Sequence, residues 1–210
     1  MVLSADRPVM TSDVLTAFGL HPQRRRASAL HGTLEAAWLL GLHPAAWSAL
    51  VRNARSPSPA LLRANQAIFL RWLAANPGAR LHHLAAASPL ALRRALEDAG
   101  VALLSCEFSI ALGCDASAAS RWSRSSDQAD PIVRRICAAL LAADTARGIV
   151  RNWQSWLVCA RQEARLRGLG DDLRGFTTWY RTHERVVPRP RGAAGRKRKP
   201  ADRAADAVAA

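Results

Sequence analysis

The sequence predicts an all-α fold, and three observations support that prediction. Signals for β-strands are nearly absent, because valine and isoleucine are scattered and no two-residue hairpin turn occurs. Apolar residues recur instead at helical spacing through most of the chain. Half of the 210 residues are hydrophobic, so the helices can bury a sizeable core.

The first part of the chain is expected to hold five helices separated by proline and glycine. Thr11-Ser12-Asp13 favours the start of the first helix, and His21-Pro22 ends it. Ser56-Pro57-Ser58-Pro59 predicts that another helix opens at Pro59, since proline is favoured at the first helical position. Asn76-Pro77-Gly78 ends that helix. The predicted helices span residues 11–20, 26–40, 44–53, 59–75 and 79–86.

The second part is expected to be helical as well. Ser88-Pro89 opens a helix that closes at Gly100, and a pair of short helices follows. Asp130-Pro131 opens an apolar helix that we expect to continue to Arg147. Gly148 is then expected to interrupt it. Further helices are predicted over residues 149–167 and 176–184.

The most informative segment is residues 105–124, whose pattern predicts a helix-turn-helix. A first helix over residues 105–112 is followed by Gly113, a residue that takes a positive φ without strain. Asp115 or Ser117 is placed to cap the second helix. The side chains predicted to face inward are Phe108, Leu112, Cys114, Ala119 and Trp122. Those predicted to face outward from the second helix are Ser117, Ser120, Arg121 and Arg124.

This segment resembles the phage Cro/repressor type of helix-turn-helix domain. The resemblance is carried by Leu112-Gly113, by Ser120-Arg121-Trp122 and by the apolar helix after Asp130-Pro131, and it covers residues 88–143. The chain departs from the pattern at Ser109, where alanine is usual. The resemblance implies that the second helix enters the major groove of double-stranded DNA. Arg121 and Arg124 would then reach guanine edges, Ser117 and Ser120 would contact bases or phosphates, and Ser105 would hold a phosphate.

A second copy of the motif is predicted upstream. A shift of 72 residues aligns residues 35–69 with 107–141 without a gap, and it pairs Gly41 with Gly113 and Pro59 with Pro131. The alternative is chance, because alanine and arginine are abundant. Arg52 is the one arginine on the outward side of the first copy. That copy is therefore expected to contact phosphate or to have only a structural role in packing.

The charge of the chain indicates an anionic polymer as partner. Thirty lysines and arginines against sixteen acids give a formal net charge of +14. Residues 187–210 lose all apolar periodicity and are predicted to form a disordered basic tail. Its Arg196, Lys197, Arg198 and Lys199 are expected to contact phosphates.

No pattern in the sequence predicts a catalytic or cofactor site. The four cysteines form no Cys-x-x-Cys pair and have no histidine at metal-ligand spacing, so we expect buried, reduced thiols and a reducing cytosol. No phosphate-binding loop and no catalytic triad occur. The seven tryptophans are expected in the core, although stacking on single strands or, for Trp153 and Trp156, a dimer face are alternatives. Neither a transmembrane span nor a signal peptide is predicted.

These observations predict four parts of the chain. Residues 1–78 form a helical domain with a degenerate helix-turn-helix, and residues 79–147 form the Cro/repressor-like domain. Residues 148–186 form a helical segment, and the basic tail follows. The expected function is sequence-specific binding of double-stranded DNA by a cytoplasmic, nucleoid-associated bacterial regulator, as a homodimer or with a partner regulator. The alternatives are an accessory factor of plasmid or mobile-element replication, partition or transfer, and a helical protein-interaction adaptor.

Overall fold

A computed structural model describes residues 3–18, 20, 28–79, 86–125 and 128–180, and most of these residues lie in α-helices. Within them lie nine helices and no β-strand, and one isolated antiparallel bridge joins Met10 to Leu61. The all-α prediction is therefore confirmed. The helices are α1 (Thr11–Ala17), α2 (Ser28–Leu39), α3 (Pro44–Ala54), α4 (Ala64–Ala75), α5 (Pro89–Asp98), α6 (Ser105–Ala111), α7 (Ala118–Trp122), α8 (Pro131–Leu141) and α9 (Ala146–Leu166).

The helix α4 lies at the centre of the molecule. Its residues from Ala64 to Trp72 are all buried. Ala67 and Leu70 belong to a cluster with α1, α2 and α3, whereas Phe69 and Trp72 belong to a larger cluster with α5–α9. Packing thus crosses the domain boundary that the sequence suggested at residue 78, since α4 contributes to both clusters.

The start of α4 differs from the prediction. Pro59 does not open a helix, because the next residues are extended and pair with the N-terminal segment. The amide of Thr11 donates to the carbonyl of Ala60 at 2.9 Å, and the amide of Leu62 donates to the carbonyl of Val9 at 3.0 Å. The backbone of residues 60–62 is committed to these bonds, so the helix begins only at Ala64.

Two glycines bring the two halves of the fold into contact. Gly41, between α2 and α3, has a φ of +65°, and Gly113, between α6 and α7, has a φ of +72°. A Cβ on Gly41 would lie 2.8 Å from the Cα of Ile132, the second residue of α8. A Cβ on Gly113 would lie 2.5 Å from the Cα of Asn65, the second residue of α4. Each turn glycine therefore abuts the second helix after the other turn: Gly41 lies against α8, and Gly113 lies against α4.

Two predictions for the C-terminal half are wrong. The chain breaks at residues 142–145 rather than at Gly148, because Thr145 caps α9 by accepting the amide of Gly148 at 3.1 Å. Residues 176–180 are not helical but belong to an irregular segment, residues 168–180, which we call the C-terminal strap. Most of the predicted helix over residues 79–86 and the tail from residue 187 lie outside the described residues.

A buried ion network joins α4 to α9. The carboxylate of Glu163 is fully buried and accepts from Arg71 Nε at 2.7 Å and from Arg167 Nε at 2.9 Å. Arg71 also donates to the carbonyls of Ser4 and Arg7, and Arg167 donates to the carbonyl of Leu62. The network therefore ties the N-terminal segment to α4 and to the C-terminal end of α9.

The tryptophans confirm the core assignment with one exception. The buried ones are Trp47, Trp72, Trp122, Trp153, Trp156 and Trp179. Trp38 is 41% exposed, and the guanidinium of Arg135 lies 3.8 Å from its ring centroid. Burial lowers the pKa of Arg135. Because this guanidinium is partly desolvated, its contact with the ring replaces part of the lost hydration.

Candidate nucleic-acid interface

Residues 105–124 form two helices joined by a tight turn. Ser105–Ala111 is the first helix and Ala118–Trp122 the second, and Gly113 takes the positive φ predicted for the turn. All five side chains predicted to face inward are buried: Phe108, Leu112, Cys114, Ala119 and Trp122. The rings of Phe108 and Trp122 meet edge to face with centroids 6.2 Å apart. The segment therefore consists of two short helices joined by a glycine turn and packed through the predicted inward side chains.

The cap of α7 comes from the first helix rather than from the turn. Neither Asp115 nor Ser117 provides a side-chain cap. The buried hydroxyl of Ser109 accepts the amide of Ala119 at 2.7 Å and donates to the carbonyl of Ser105 at 3.0 Å. An alanine at position 109 would leave that amide without its partner. Ser109, the departure from the family pattern, thus links the two helices.

The outward side of α7 carries the side chains that the sequence predicted. Ser117, Ser120, Arg121 and Arg124 are all exposed. Arg121 Nη1 donates to Ser117 Oγ at 2.9 Å, and Arg124 Nε donates to the carbonyl of Ser120 at 3.2 Å. Both guanidiniums bond to neutral oxygens of their own segment, so no described acid compensates their charge and each retains donors for a ligand.

The helix α7 is shorter than predicted. It covers five residues, so that Ser117 is its N-cap and Arg124 follows its last turn. The four outward side chains still lie within one short stretch. They form a compact surface of two hydroxyls and two guanidiniums, which we call the α7 surface.

The remaining predicted contact residues lie in different settings. Ser105 is exposed, and its hydroxyl accepts from Arg93 Nη1 at 2.8 Å. Arg93 also pairs with Glu97 on α5, so a basic group stands at the start of α6 that the sequence did not indicate. Arg52 is exposed in the last turn of α3, while Trp47 on the same helix is buried. Residues 196–199 of the tail lie outside the described residues.

The C-terminal half holds the end of α6 and the following turn in place through groups that the sequence did not reveal. Trp156 Nε1 donates to the carbonyl of Ala111 at 2.7 Å, and Trp179 Nε1 donates to that of Ile110 at 2.9 Å. Two indoles therefore satisfy the last carbonyls of α6, which have no partner inside the helix. The amide of Ala116 in the turn donates to the carbonyl of Thr177 in the C-terminal strap.

The part of the chain that the structure describes holds few other candidate functional groups. No cluster of three histidine, cysteine or acidic residues there is arranged to hold a metal ion. None of the helices in that part has both the length and the apolar character of a membrane span.

Three cysteines are buried as predicted, but Cys106 is exposed on α6. Burial raises the pKa of Cys159 to about 11, and it raises that of Cys137 even further.

Comparison with known protein families, with curated proteins and with solved structures finds no match to this chain.

Proposed function

We propose that this protein binds double-stranded DNA sequence-specifically and acts as a bacterial transcriptional regulator. The observation that carries the proposal is the α7 surface. Arg121 is exposed on α7 and Arg124 is exposed just after its end, and no acidic group pairs with either of them among the described residues. A second helix that presents such groups is the part of this motif that enters a major groove.

The residue types suit the reading of guanine. An arginine offers two parallel donors to the O6 and N7 acceptors of guanine, which is the commonest specific contact in the major groove. The hydrogen bond from Arg121 to Ser117 is exposed and therefore weak enough to be exchanged for a base. Ser117 and Ser120 supply hydroxyls that contact either bases or phosphates. Arg121 is accordingly assigned the central role and Arg124 a supporting one.

The charge of the chain supplies the affinity that specificity needs. A net charge of +14 attracts duplex DNA through counterion release. Arg52 and the tail residues 196–199 are assigned phosphate contacts within this proposal. The accessory-factor function in plasmid or mobile-element replication, partition or transfer uses the same interface and differs only in which sites are occupied.

A protein-interaction adaptor is the second candidate, and one observation favours it. Leu34 and Trp38 lie one turn apart on α2 and are 61% and 41% exposed. Exposed large apolar side chains of this kind often mark a surface that another protein covers. An adaptor would bind no preferred duplex, and this separates the two functions.

Selection of duplexes from a random pool tests the proposal. The wild-type chain should enrich a defined motif that contains guanine, and the Arg121→Ala/Arg124→Ala variant should enrich none. Arg55→Ala/Arg94→Ala is the matched control, because it removes two exposed arginines elsewhere and should leave the motif unchanged. Binding without any enriched motif would refute specific readout. Failure to bind any duplex at low salt would favour the adaptor.

A further inference from the structure

The helix α9 carries a basic surface that the helix-turn-helix does not include. Its outward side chains are Arg147, Arg151, Gln154, Val158, Arg161 and Arg165, and all six are exposed. They recur at alternating intervals of four and three residues, so on an α-helix they fall within about 80° of arc. We call this row the α9 stripe.

The stripe contains every arginine of α9 and none of its acids. The only acid of the helix is Glu163, which is fully buried and neutralised by Arg71 and Arg167. The structure gives none of the four stripe arginines an ion pair with the part of the chain it describes. Within the described residues these four cations have no counter-charge, so their mutual repulsion favours the binding of an anionic partner.

We propose that the α9 stripe is a second, sequence-independent binding surface for the phosphate backbone of duplex DNA. The residues from Arg147 to Arg165 extend over about 27 Å along the helix axis. A duplex of that length carries about 16 phosphates. Arginine is suited to them because its planar fork binds phosphate oxygens in pairs. The stripe would bind the same ligand as the α7 surface, which is duplex DNA. Its binding does not depend on a helix-turn-helix.

The packing of α9 argues against a membrane surface as the partner. A helix that binds a bilayer inserts an apolar face between the lipids. The apolar face of α9 is already covered in the core, where Trp153, Trp156 and Ala160 are buried. Val158 is the one large apolar side chain on the stripe. The exposed side of α9 therefore offers charge without the apolar anchors that a membrane helix needs.

Salt-dependent binding of a random-sequence duplex tests the stripe. Arg161→Gln/Arg165→Gln should make the slope of log affinity against log salt shallower by about 2 units, because each phosphate contact contributes about 0.9. Arg147→Gln/Arg151→Gln should give the same change. The control Arg55→Gln/Arg94→Gln removes the same charge from exposed sites off the stripe and should leave the slope nearly unchanged. Thermal unfolding of each full-length variant establishes that the fold is intact.

The outcomes separate the stripe from the α7 surface. A wild-type chain that binds duplexes without preference and loses affinity only in the stripe variants supports the stripe and overturns specific readout by α7. A wild-type chain that selects a motif, with stripe variants that keep its full salt slope, overturns the stripe alone. Equal competition by poly-glutamate and duplex DNA at the same charge concentration would also overturn it, because the surface would then favour acidic protein.

Discussion

Gly41 and Ile132 are ninety-one positions apart in sequence, yet a Cβ on the glycine would lie 2.8 Å from the Cα of the isoleucine. The counterpart contact joins Gly113 to Asn65. Both glycines thus meet two requirements at once, a positive φ and the close approach of a neighbouring helix. The contacts hold the Gly41 turn against α8 and the Gly113 turn against α4.

We expect Gly41→Ala and Gly113→Ala to destabilise the fold by about 2–5 kcal/mol each, since a Cβ adds overpacking to backbone strain. Gly100→Ala is the matched control, because its φ is +83° and a Cβ there would meet nothing within 4 Å. It should cost only the strain of about 1–2 kcal/mol. Chemical denaturation measures all three. Equal losses would show that the close contacts do not contribute.

Ser109→Ala should destabilise the protein by about 1–2 kcal/mol, because the buried amide of Ala119 loses its acceptor. Ser123→Ala is the control, since its hydroxyl makes only an exposed bond to the carbonyl of Ser120. Hydrogen exchange should show faster exchange of the Ala119 amide in the first variant alone. Unchanged protection of that amide would contradict the assigned cap.

Glu163→Gln should cost about 3–5 kcal/mol, because it removes the charge that compensates Arg71 and Arg167 inside the fold. The control is Glu97→Gln, which breaks the ion pair with Arg93. The side chain of Glu97 is 44% exposed. An exposed pair contributes about 0–1 kcal/mol, so this variant should unfold almost as the wild type does. A small effect at both positions would show that water reaches the buried network.

Arg121→Ala should weaken binding to the selected motif by about 1–3 kcal/mol and leave binding to random duplexes nearly intact. The reason is that a base contact discriminates between sequences, whereas a phosphate contact does not. Titration of both duplexes at one salt concentration measures the difference, with Arg94→Ala as the control. Equal loss on both duplexes would assign Arg121 to phosphate rather than to bases.

Alkylation at pH 8 should modify Cys106 in the native protein and leave the other three thiols unmodified. Cys114, Cys137 and Cys159 are buried. Burial also raises the pKa of Cys159 to about 11, so almost none of its reactive thiolate exists at pH 8. Mass spectrometry should find one adduct before denaturation and four after it. Native modification of Cys159 would indicate local opening of α9.

The sequence predicted the parts of this fold that follow from local pattern. Gly113 and the apolar spacing around it located both helices of the 105–124 segment, because backbone conformation and amphipathic periodicity are local properties. The outward position of Arg121 followed from the same periodicity. The function assigned to that surface stays a prediction, since no comparison bears on it.

The sequence failed where distant groups decide the structure. Pro59 favours a helix start, but the carbonyl of Ala60 and the amide of Leu62 bond to Thr11 and Val9 and keep the chain extended. Trp179 lies at helical spacing from its neighbours, yet its indole is positioned by the carbonyl of Ile110 on another helix. The exposed position of the α9 stripe likewise depends on which side of the helix the core covers. Long-range partners of these kinds leave no local pattern.

The shared helix α4 limits how this chain can be divided. A fragment ending near residue 78 would uncover Phe69 and Trp72, and the complementary fragment would lose the surface against which Trp156 packs. Neither half carries a complete interior, so the exchange of one half for a foreign sequence would expose core side chains of the half that remains.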